Sequence, residues 1–233
     1  MRLAICAGPS TTGKTAVLRH LIADLLQKGT PPAFLKIDVQ YAEEDEILAA
    51  EFGIPTRKVY SGELCPDHCN VMVLGDALHW ARKAGCEVLL VETAGLCLRC
   101  SPYVDGGLGI VVLEATSGMN LPRKVGPMLT LADVAVVTKI DRVSQAEREV
   151  FRARIQDAAP RVRIREMDAL HGIGIAALAG HIETTAETPD KLLLRGNPPV
   201  GTCTICVGRK EIGWQSHFGV VRALENATFY RGE

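Results

Sequence analysis

The sequence has no long apolar segment and almost no net charge. It contains no run of about 18 uninterrupted apolar residues, so a membrane-spanning helix is not expected. Its 26 basic and 27 acidic side chains give a formal charge of -1, which offers no general attraction to nucleic acid or to an anionic membrane. Internal repeats and low-complexity tracts are also missing. Any ligand must therefore be recognised at a local site.

The length and the first residues indicate one main domain. With 233 residues, 47% of them hydrophobic, the chain is long enough for one substantial core and too short for three domains. The short apolar run Leu3–Ala7 leads directly into a glycine-containing loop. We expect a core strand there, and not a signal peptide. The protein is accordingly predicted to be cytoplasmic.

Short apolar runs alternate with helical patterns along most of the chain. The runs are rich in Val, Ile and Leu, which is typical of strands covered on both faces. We predict strands at Leu3–Ala7, Ala33–Ile37, Val88–Val91, Gly109–Leu113, Val134–Thr138 and Val162–Arg165. We predict helices at Lys14–Gln27, Glu43–Phe52, Val71–Lys83, Gln145–Ala158 and Ile175–Ile182. This alternation predicts a three-layer α/β fold with a mostly parallel sheet.

The composition changes after residue 183. The stretch from Glu183 to Asp190 is polar like a linker, and the segment Gly196–Pro199 is a second break. We predict a main domain at 1–183, followed by a linker and a small cysteine-containing appendage at 184–233.

A phosphate-binding loop follows the first predicted strand. Residues 8–15 read Gly-Pro-Ser-Thr-Thr-Gly-Lys-Thr and fit the pattern G-x-x-x-x-G-K-[ST] between a strand and a helix. In such a P-loop the backbone amides and the helix N-terminus hold the β-phosphate, the lysine reaches the β and γ oxygens, and the last hydroxyl binds Mg²⁺. The predicted nucleotide contacts are Gly8, Ser10, Thr11, Thr12, Gly13, Lys14 and Thr15, and Lys14 is also assigned to catalysis.

Two predicted strands end in a carboxylate beside this loop. Asp38 ends the second strand, and Glu92 ends the third and begins the motif Glu-Thr-Ala-Gly. Mg²⁺ bound to the Thr15 hydroxyl needs such a carboxylate from a neighbouring strand end. Both carboxylates are assigned to Mg²⁺ or to positioning of the attacking water, with the division of roles left open. The acidic run at residues 43–46 is interpreted as a solvated helix start.

The sequence Thr-Lys-Ile-Asp ends the predicted strand Val134–Thr138. In guanine-nucleotide proteins the aspartate of Asn/Thr-Lys-x-Asp accepts the N1 proton and the 2-amino group of guanine, and the lysine stem lies along the ring. Adenine has an acceptor at N1 and lacks the amino group, so the aspartate would face an unpaired group. GTP is therefore favoured over ATP. The predicted base contacts are Thr138, Lys139 and Asp141, with Ala169 and Leu170 in a loop behind the base.

Together these motifs resemble the SIMIBI-class P-loop GTPases that insert nickel into hydrogenase and urease, and their cobalamin-associated relatives. The resemblance covers residues 1 to about 183 and includes the segments Lys124–Met128 and Ala169–Gly174. It implies a fold of the P-loop NTPase type and a homodimeric GTPase that couples nucleotide state to delivery of a metal ion. A client metalloenzyme or another maturation protein would be the partner. The sequence departs from the family pattern at Thr138, where Asn is usual, and at Asp168, where Ser is usual.

Six of the eight cysteines form three close pairs. In a reducing compartment such pairs indicate metal or redox chemistry more often than disulfides. Cys65 and Cys69 flank His68, and Cys97 and Cys100 follow the Glu-Thr-Ala-Gly motif. Thiolates with imidazole suit Zn²⁺, Ni²⁺ or an iron–sulfur cluster.

The first two cysteine pairs are predicted to share one four-thiolate site, within a chain or across a dimer axis, because both loops should emerge at the same edge of the sheet. Hydrolysis would then change the metal affinity by about 1 to 3 kcal/mol. Partly buried, unpaired thiols are the alternative. Cys203 and Cys206, with His217, are predicted either to bind a structural zinc or to contact a partner. Cys6 and Cys86 lie in or beside apolar runs and are predicted to be buried.

Three other functions are open. An ATP-dependent iron–sulfur cluster carrier or electron donor like the nitrogenase iron protein also has cysteines on switch loops. It usually has an extra lysine early in its phosphate loop, where this chain has Pro9 and Ser10. A small-molecule kinase needs an arginine-rich lid, whereas Arg161, Arg163 and Arg165 alternate as on a strand face. A nucleotide sensor would bind without turnover.

Overall fold

The described residues form a sheet of seven parallel strands and one short antiparallel strand. The strands are β1 (Arg2–Ala7), β2 (Pro32–Asp38), β3 (Thr56–Tyr60), β4 (Val88–Glu92), β5 (Leu108–Glu114), β6 (Val134–Thr138), β7 (Arg163–Glu166) and the two-residue β8 (Tyr230–Arg231). This computed structural model describes residues 1–39, 41–61, 66–95, 101–196, 210–212 and 230–231. The strand order is β7-β6-β5-β1-β4-β2-β3-β8, and only the β3–β8 pairing among these described strands is antiparallel.

Helices cover both faces of the sheet. They are α1 (Lys14–Gln27), α2 (Glu44–Phe52), α3 (Pro66–Lys83), α4 (Leu121–Val125), α5 (Pro127–Thr130), α6 (Gln145–Ala158) and α7 (Ile175–Glu183), with short 3-10 turns at Ala115–Ser117 and Ile140–Arg142. Alternate residues of β1 enter different cores: Leu3 packs in the cluster that contains α3 and α6 residues, and Ala4 in the cluster with α1 and α7 residues. The predicted three-layer α/β fold is confirmed. Among the described helices, none combines the length and apolar character needed to span a bilayer.

Strand β3 was not predicted from the sequence. All six predicted strands are present, and α1 and α6 begin and end as predicted. β3 was overlooked because Arg57 and Lys58 interrupt its apolar character, although Lys58 is 3% exposed. Helix α3 also begins at Pro66, five residues before the predicted Val71. Helix α2, strand β3 and helix α3 therefore lie between β2 and β4.

The interpretation of residues 43–46 as a solvated helix start is confirmed for Glu43 and Glu46, which are exposed, and is wrong for Asp45. Asp45 is fully buried, with Oδ1 3.1 Å from the Nζ atom of Lys58. Glu44 extends its carboxylate towards Lys36, at 3.3 Å. A buried carboxylate is tolerated when a cation compensates it. The two lysines lie on neighbouring strands, so the start of α2 is bound to the sheet through its acidic side chains.

The described part of the predicted linker and appendage packs against the main domain. Leu192 and Leu194 are buried, and Leu194 forms an antiparallel bridge with Val104. The guanidinium group of Arg195 lies 2.7 Å from Oδ2 of Asp133 at the start of β6. These contacts attach residues 192–195 to the sheet, while the domain boundary itself stays a prediction.

Candidate nucleotide-binding site

The loop after β1 has a backbone that favours glycine at its two ends. Gly8 and Gly13 have φ angles of 151° and 91°, and Thr11 also has a positive φ, of 64°. A Cβ atom on Gly8 would lie 2.3 Å from the carbonyl oxygen of Val112 on β5. The loop thus curls at the C-terminal end of a central strand and runs directly into the N-terminus of α1. Backbone amides at such a helix start are well placed to bind phosphate.

The Glu-Thr-Ala-Gly motif after β4 packs directly on this loop. The backbone amide of Thr93 donates to the carbonyl oxygen of Cys6 at 3.1 Å. Gly95 has a φ of 72°, and a Cβ atom there would lie 1.8 Å from the carbonyl oxygen of Gly8. The fourth residue of the motif must therefore be glycine. The two loops are in contact, so a shift in one displaces the other.

Lys14 places a buried ammonium group at the end of the loop. Its side chain is 7% exposed, and Nζ donates to the carbonyl oxygens of Gly8 and Pro9 at 3.1 Å each. Burial lowers the pKa of Lys14 below its ordinary value, and the negative charge of Glu92 partly opposes this shift. The group is positioned as a donor for phosphate oxygens.

The predicted magnesium ligands lie around one pocket of about 380 Å³. The Thr15 hydroxyl donates to both carboxylate oxygens of Glu92, at 3.0 Å each. Asp38, at the end of β2, lines the same pocket, as do Ser10, Thr11, Gly13 and Lys14. The structure therefore brings together residues that lie far apart in the sequence.

This donor set fits magnesium. Thr15, Asp38 and Glu92 offer hydroxyl and carboxylate oxygens, which are the ligands that Mg²⁺ prefers. Within the described residues, no group of three or more His, Cys, Asp or Glu side chains is arranged to hold a metal ion alone. Such a group is not required, because Mg²⁺ beside a P-loop takes part of its coordination from phosphate and water.

A buried lysine in β2, which was not predicted from the sequence as a site residue, completes the cluster. Lys36 is 3% exposed, and its Nζ atom lies 2.7 Å from Oε1 of Glu92. The same atom lies 3.3 Å from Oε1 of Glu44 and 3.5 Å from Oδ2 of Asp38. A charged residue inside an otherwise apolar strand was the signal that could have identified Lys36.

Thr138 connects the Thr-Lys-Ile-Asp motif to the phosphate loop. Its side chain is 1% exposed, and its hydroxyl donates to the carbonyl oxygen of Thr12 at 2.7 Å. The related GTPases usually have Asn at this position. Threonine retains a side-chain donor there, so the Thr-Lys-Ile-Asp motif stays hydrogen-bonded to the phosphate loop.

Lys139 and Asp141 follow at the end of β6. Lys139 has a left-handed backbone, with a φ of 54°, and its ammonium group forms an ion pair with Glu114 at the end of β5. Glu114 also accepts a hydrogen bond from Ser117 at 2.9 Å. The carboxylate of Asp141 is 53% exposed and available to a ligand. Glu114 was not predicted from the sequence, because nothing local links it to Lys139.

Asp168 organises the loop predicted to lie behind the base. Its Oδ1 atom accepts the backbone amides of Leu170 and His171, at 3.0 and 3.2 Å. Its Oδ2 atom lies 2.6 Å from Nδ1 of His171. This hydrogen bond raises the pKa of His171 and lowers the pKa of Asp168. Ala169 lies beside Gly13 of the phosphate loop, and Leu170 is 77% exposed.

Most of the predicted metal-binding thiols lie outside the described residues, namely Cys65, Cys97, Cys100, Cys203 and Cys206, as does His217. Cys69 is described, and its side chain is fully buried in the core on α3. That position is unfavourable for a ligand of an exchangeable ion, so the other three cysteines would have to dominate the predicted four-thiolate site. Cys6 and Cys86 are buried, as predicted. Burial raises the pKa of both thiols.

A glycine loop on a central parallel strand, with carboxylates at neighbouring strand ends, defines a P-loop nucleotide-binding protein. The protein-family model of the CobW/HypB/UreG nucleotide-binding domain matches residues 3–166 of the sequence. The chain belongs to this family of SIMIBI-class P-loop GTPases. The family recognised in the sequence is confirmed.

The chain is also similar to individual proteins and solved structures. An uncharacterized protein of Methanocaldococcus jannaschii is 43% identical over 235 residues, which is 100% of each chain. Urease accessory protein UreG 2 of Streptomyces griseus is 31% identical over 202 residues, covering 76% of this chain and 84% of its own. The crystal structure of HypB from Helicobacter pylori in complex with nickel shares the fold, with a TM-score of 0.65 and 20% identity over 81% of this chain and 91% of that one. HypB of Archaeoglobus fulgidus, a hydrogenase maturation factor, has a TM-score of 0.61 and 21% identity over 78% and 89%.

Proposed function

We propose that this protein is a GTP-hydrolysing metallochaperone or metalloenzyme maturation factor. The observation that carries the proposal is the convergence of Lys14, Thr15 and Glu92 on one pocket, with Thr138 bonded to the phosphate loop. Support for metal delivery comes from the family, whose members include a urease accessory protein and a HypB that has been crystallised with nickel.

The chemistry follows from positioning and charge. Lys14 and the loop amides would hold the β- and γ-phosphates, and Thr15 together with one of the carboxylates of Asp38 and Glu92 would hold Mg²⁺. When bound, Mg²⁺ offsets the negative charge that develops on the phosphates. The carboxylate that is free of the ion, either Asp38 or Glu92, would orient the attacking water. Such catalysis depends on groups that are placed before the reaction begins.

Guanine selection is proposed for Asp141. Asp141→Asn should weaken GTP binding and improve binding of xanthosine triphosphate, because the amide can donate where the xanthine ring has a carbonyl oxygen. Asp157→Asn, on an exposed part of α6, is the control and should change neither affinity. Equal affinity of the wild type for ATP and GTP would remove the guanine assignment.

Metal binding is proposed for Cys65, Cys97 and Cys100, with the buried Cys69 as the weakest of the four predicted ligands and with Zn²⁺, Ni²⁺ or an iron–sulfur cluster as the cargo. Protein purified without oxygen is analysed for metal, and Cys65→Ala and Cys97→Ala should each lose it while keeping nucleotide affinity. Cys86→Ala, which changes a buried thiol at another site, should keep the metal. Full metal retention by Cys65→Ala or Cys97→Ala would contradict a shared site.

A homodimer and a client metalloenzyme or second maturation protein complete the proposal, in a cytoplasmic setting. Sedimentation with GDP and with a non-hydrolysable GTP analogue tests the dimer, which should form more strongly with the triphosphate. Cys203→Ser combined with Cys206→Ser tests whether the C-terminal pair holds a separate zinc. An iron–sulfur absorbance together with a preference for ATP would instead support the cluster carrier.

A further inference from the structure

Lys36 is a cation built into the strand that supplies Asp38. Its neighbours Leu35 and Ile37 are fully buried, and Lys36 itself is 3% exposed. The sheet register pairs Lys36 on β2 with Glu92 on β4. The ammonium group is therefore held by rigid secondary structure beside the predicted magnesium ligand. Burial of such a charge is unfavourable unless carboxylates surround it.

Lys36 limits the excess of negative charge around the pocket. Three carboxylates line it, those of Asp38, Glu44 and Glu92, together with two ammonium groups, those of Lys14 and Lys36. Loss of Lys36 would leave three negative charges against one positive charge. The phosphates of an entering nucleotide would then meet a strongly negative surface.

Glu92 is held from two sides. Its side chain is 2% exposed, and its Oε1 atom accepts both the Thr15 hydroxyl and the Lys36 ammonium group, at 3.0 and 2.7 Å. Burial lowers the pKa of Lys36, but the charge of Glu92 and its hydrogen bond, with help from Glu44 and Asp38, outweigh that effect and raise it. Three carboxylates within 3.5 Å of Nζ are the surroundings that a buried ammonium group requires.

We propose that Lys36 is a positioning residue that holds Glu92 and Asp38 at the magnesium position and offsets their charge, so that guanine nucleotide binds even before Mg²⁺ is present. The inference rests on the proposed function as a GTP-binding protein. It assigns to this chain a resident cation beside the phosphate loop, distinct from the lysine of the loop itself.

The test compares GDP affinity with and without Mg²⁺, so hydrolysis plays no part. A fluorescent GDP analogue is titrated in excess Mg²⁺ and in a chelator. The readout is the Kd in chelator divided by the Kd in Mg²⁺. Lys36→Met should raise this ratio at least about tenfold over the wild type, since the unbalanced carboxylates repel metal-free phosphate. Lys36→Gln should do the same, because it keeps a donor without the charge. Lys36→Arg should stay within about threefold of the wild type.

Lys58 provides the matched control. It is the register partner of Lys36 on β3, is also 3% exposed, and pairs with Asp45 away from the pocket. Lys58→Met should lower the melting temperature and leave the ratio unchanged. Glu44→Gln keeps Lys36 and removes one carboxylate, so it should tighten metal-free GDP binding.

Several results would overturn the inference. In folded Lys36→Met and Lys36→Gln, the ratio of the two Kd values could stay unchanged, even if affinity falls equally with and without Mg²⁺. That result would show that Lys36 serves only the fold. If neither neutral variant folds, metal-free binding by Glu44→Gln that is no tighter than the wild type refutes it. Failure of the wild type to bind any guanine nucleotide would instead refute the proposed function, and this inference with it.

Discussion

A single methyl group at Gly95 should disable the nucleotide site. Gly95 has a φ of 72°, and a Cβ atom there would lie 1.8 Å from the carbonyl oxygen of Gly8 and 2.9 Å from Nζ of Lys14. The end of the lysine side chain can move away, but the Gly8 carbonyl is backbone. In Gly95→Ala, one of the two loops must therefore shift by more than an ångström.

The effect of Gly95→Ala has two parts, backbone strain and steric overlap. The substitution Gly53→Ala causes only the first, so it separates them. An L-residue in the left-handed conformation costs about 1–2 kcal/mol. Gly53→Ala has the same backbone demand, with a φ of 65°, and nothing lies within 4 Å of its Cβ atom. For a chain of this size that term lowers Tm by about 2–8 °C. The overlap at Gly95 adds to it, and a displacement of about 1 Å in a catalytic loop can reduce turnover about 100-fold.

Thermal denaturation with and without GDP and Mg²⁺, followed by GTP turnover, measures both parts. GDP should raise the Tm of the wild type and of Gly53→Ala by similar amounts, and that of Gly95→Ala by much less. Turnover of Gly95→Ala should fall about 100-fold. If Gly95→Ala matched Gly53→Ala in Tm, in its response to GDP and in turnover, the contact between the two loops would not matter as argued.

Three further predictions concern the base side of the site. Thr138→Val should lower stability by about 1–3 kcal/mol in chemical denaturation and weaken GDP binding, because a buried loop carbonyl loses its donor. Thr138→Asn should retain most of both, and equal losses in the two variants would contradict this role of the hydroxyl. Glu114→Gln should weaken GTP binding about threefold through Lys139, with guanine preference unchanged in a competition assay; an altered preference would contradict it. Asp168, through its hydrogen bond and its charge, raises the pKa of His171 above the ordinary 6.5. The stabilisation of the fold by this pair is therefore full below pH 6.5 and is lost as pH rises through the raised pKa. The Tm difference between wild type and His171→Asn should therefore shrink between pH 6 and pH 9, and a constant difference would argue against the pair.

Several features were decided within short stretches of the amino-acid sequence. The bounds of α1 and α6 follow from the spacing of their apolar residues, and α6 also begins with a Ser144–Glu147 capping box. The phosphate loop and the Thr-Lys-Ile-Asp motif could be recognised because each acts as a continuous segment whose backbone is shaped locally. Alternating apolar runs and helical patterns determined the fold class for the same reason.

Only the tertiary structure decided which charged groups are buried together. Lys36 and Glu92 are 56 residues apart in the sequence, and Thr138 lies 126 residues from Thr12, whose carbonyl oxygen it binds. The sequence Lys36-Ile37-Asp38 is the same whether its charged side chains are solvated or buried. Its role depends on the register of strands that meet only when the sheet forms, because the energy of a charge is set by the neighbours that replace water around it.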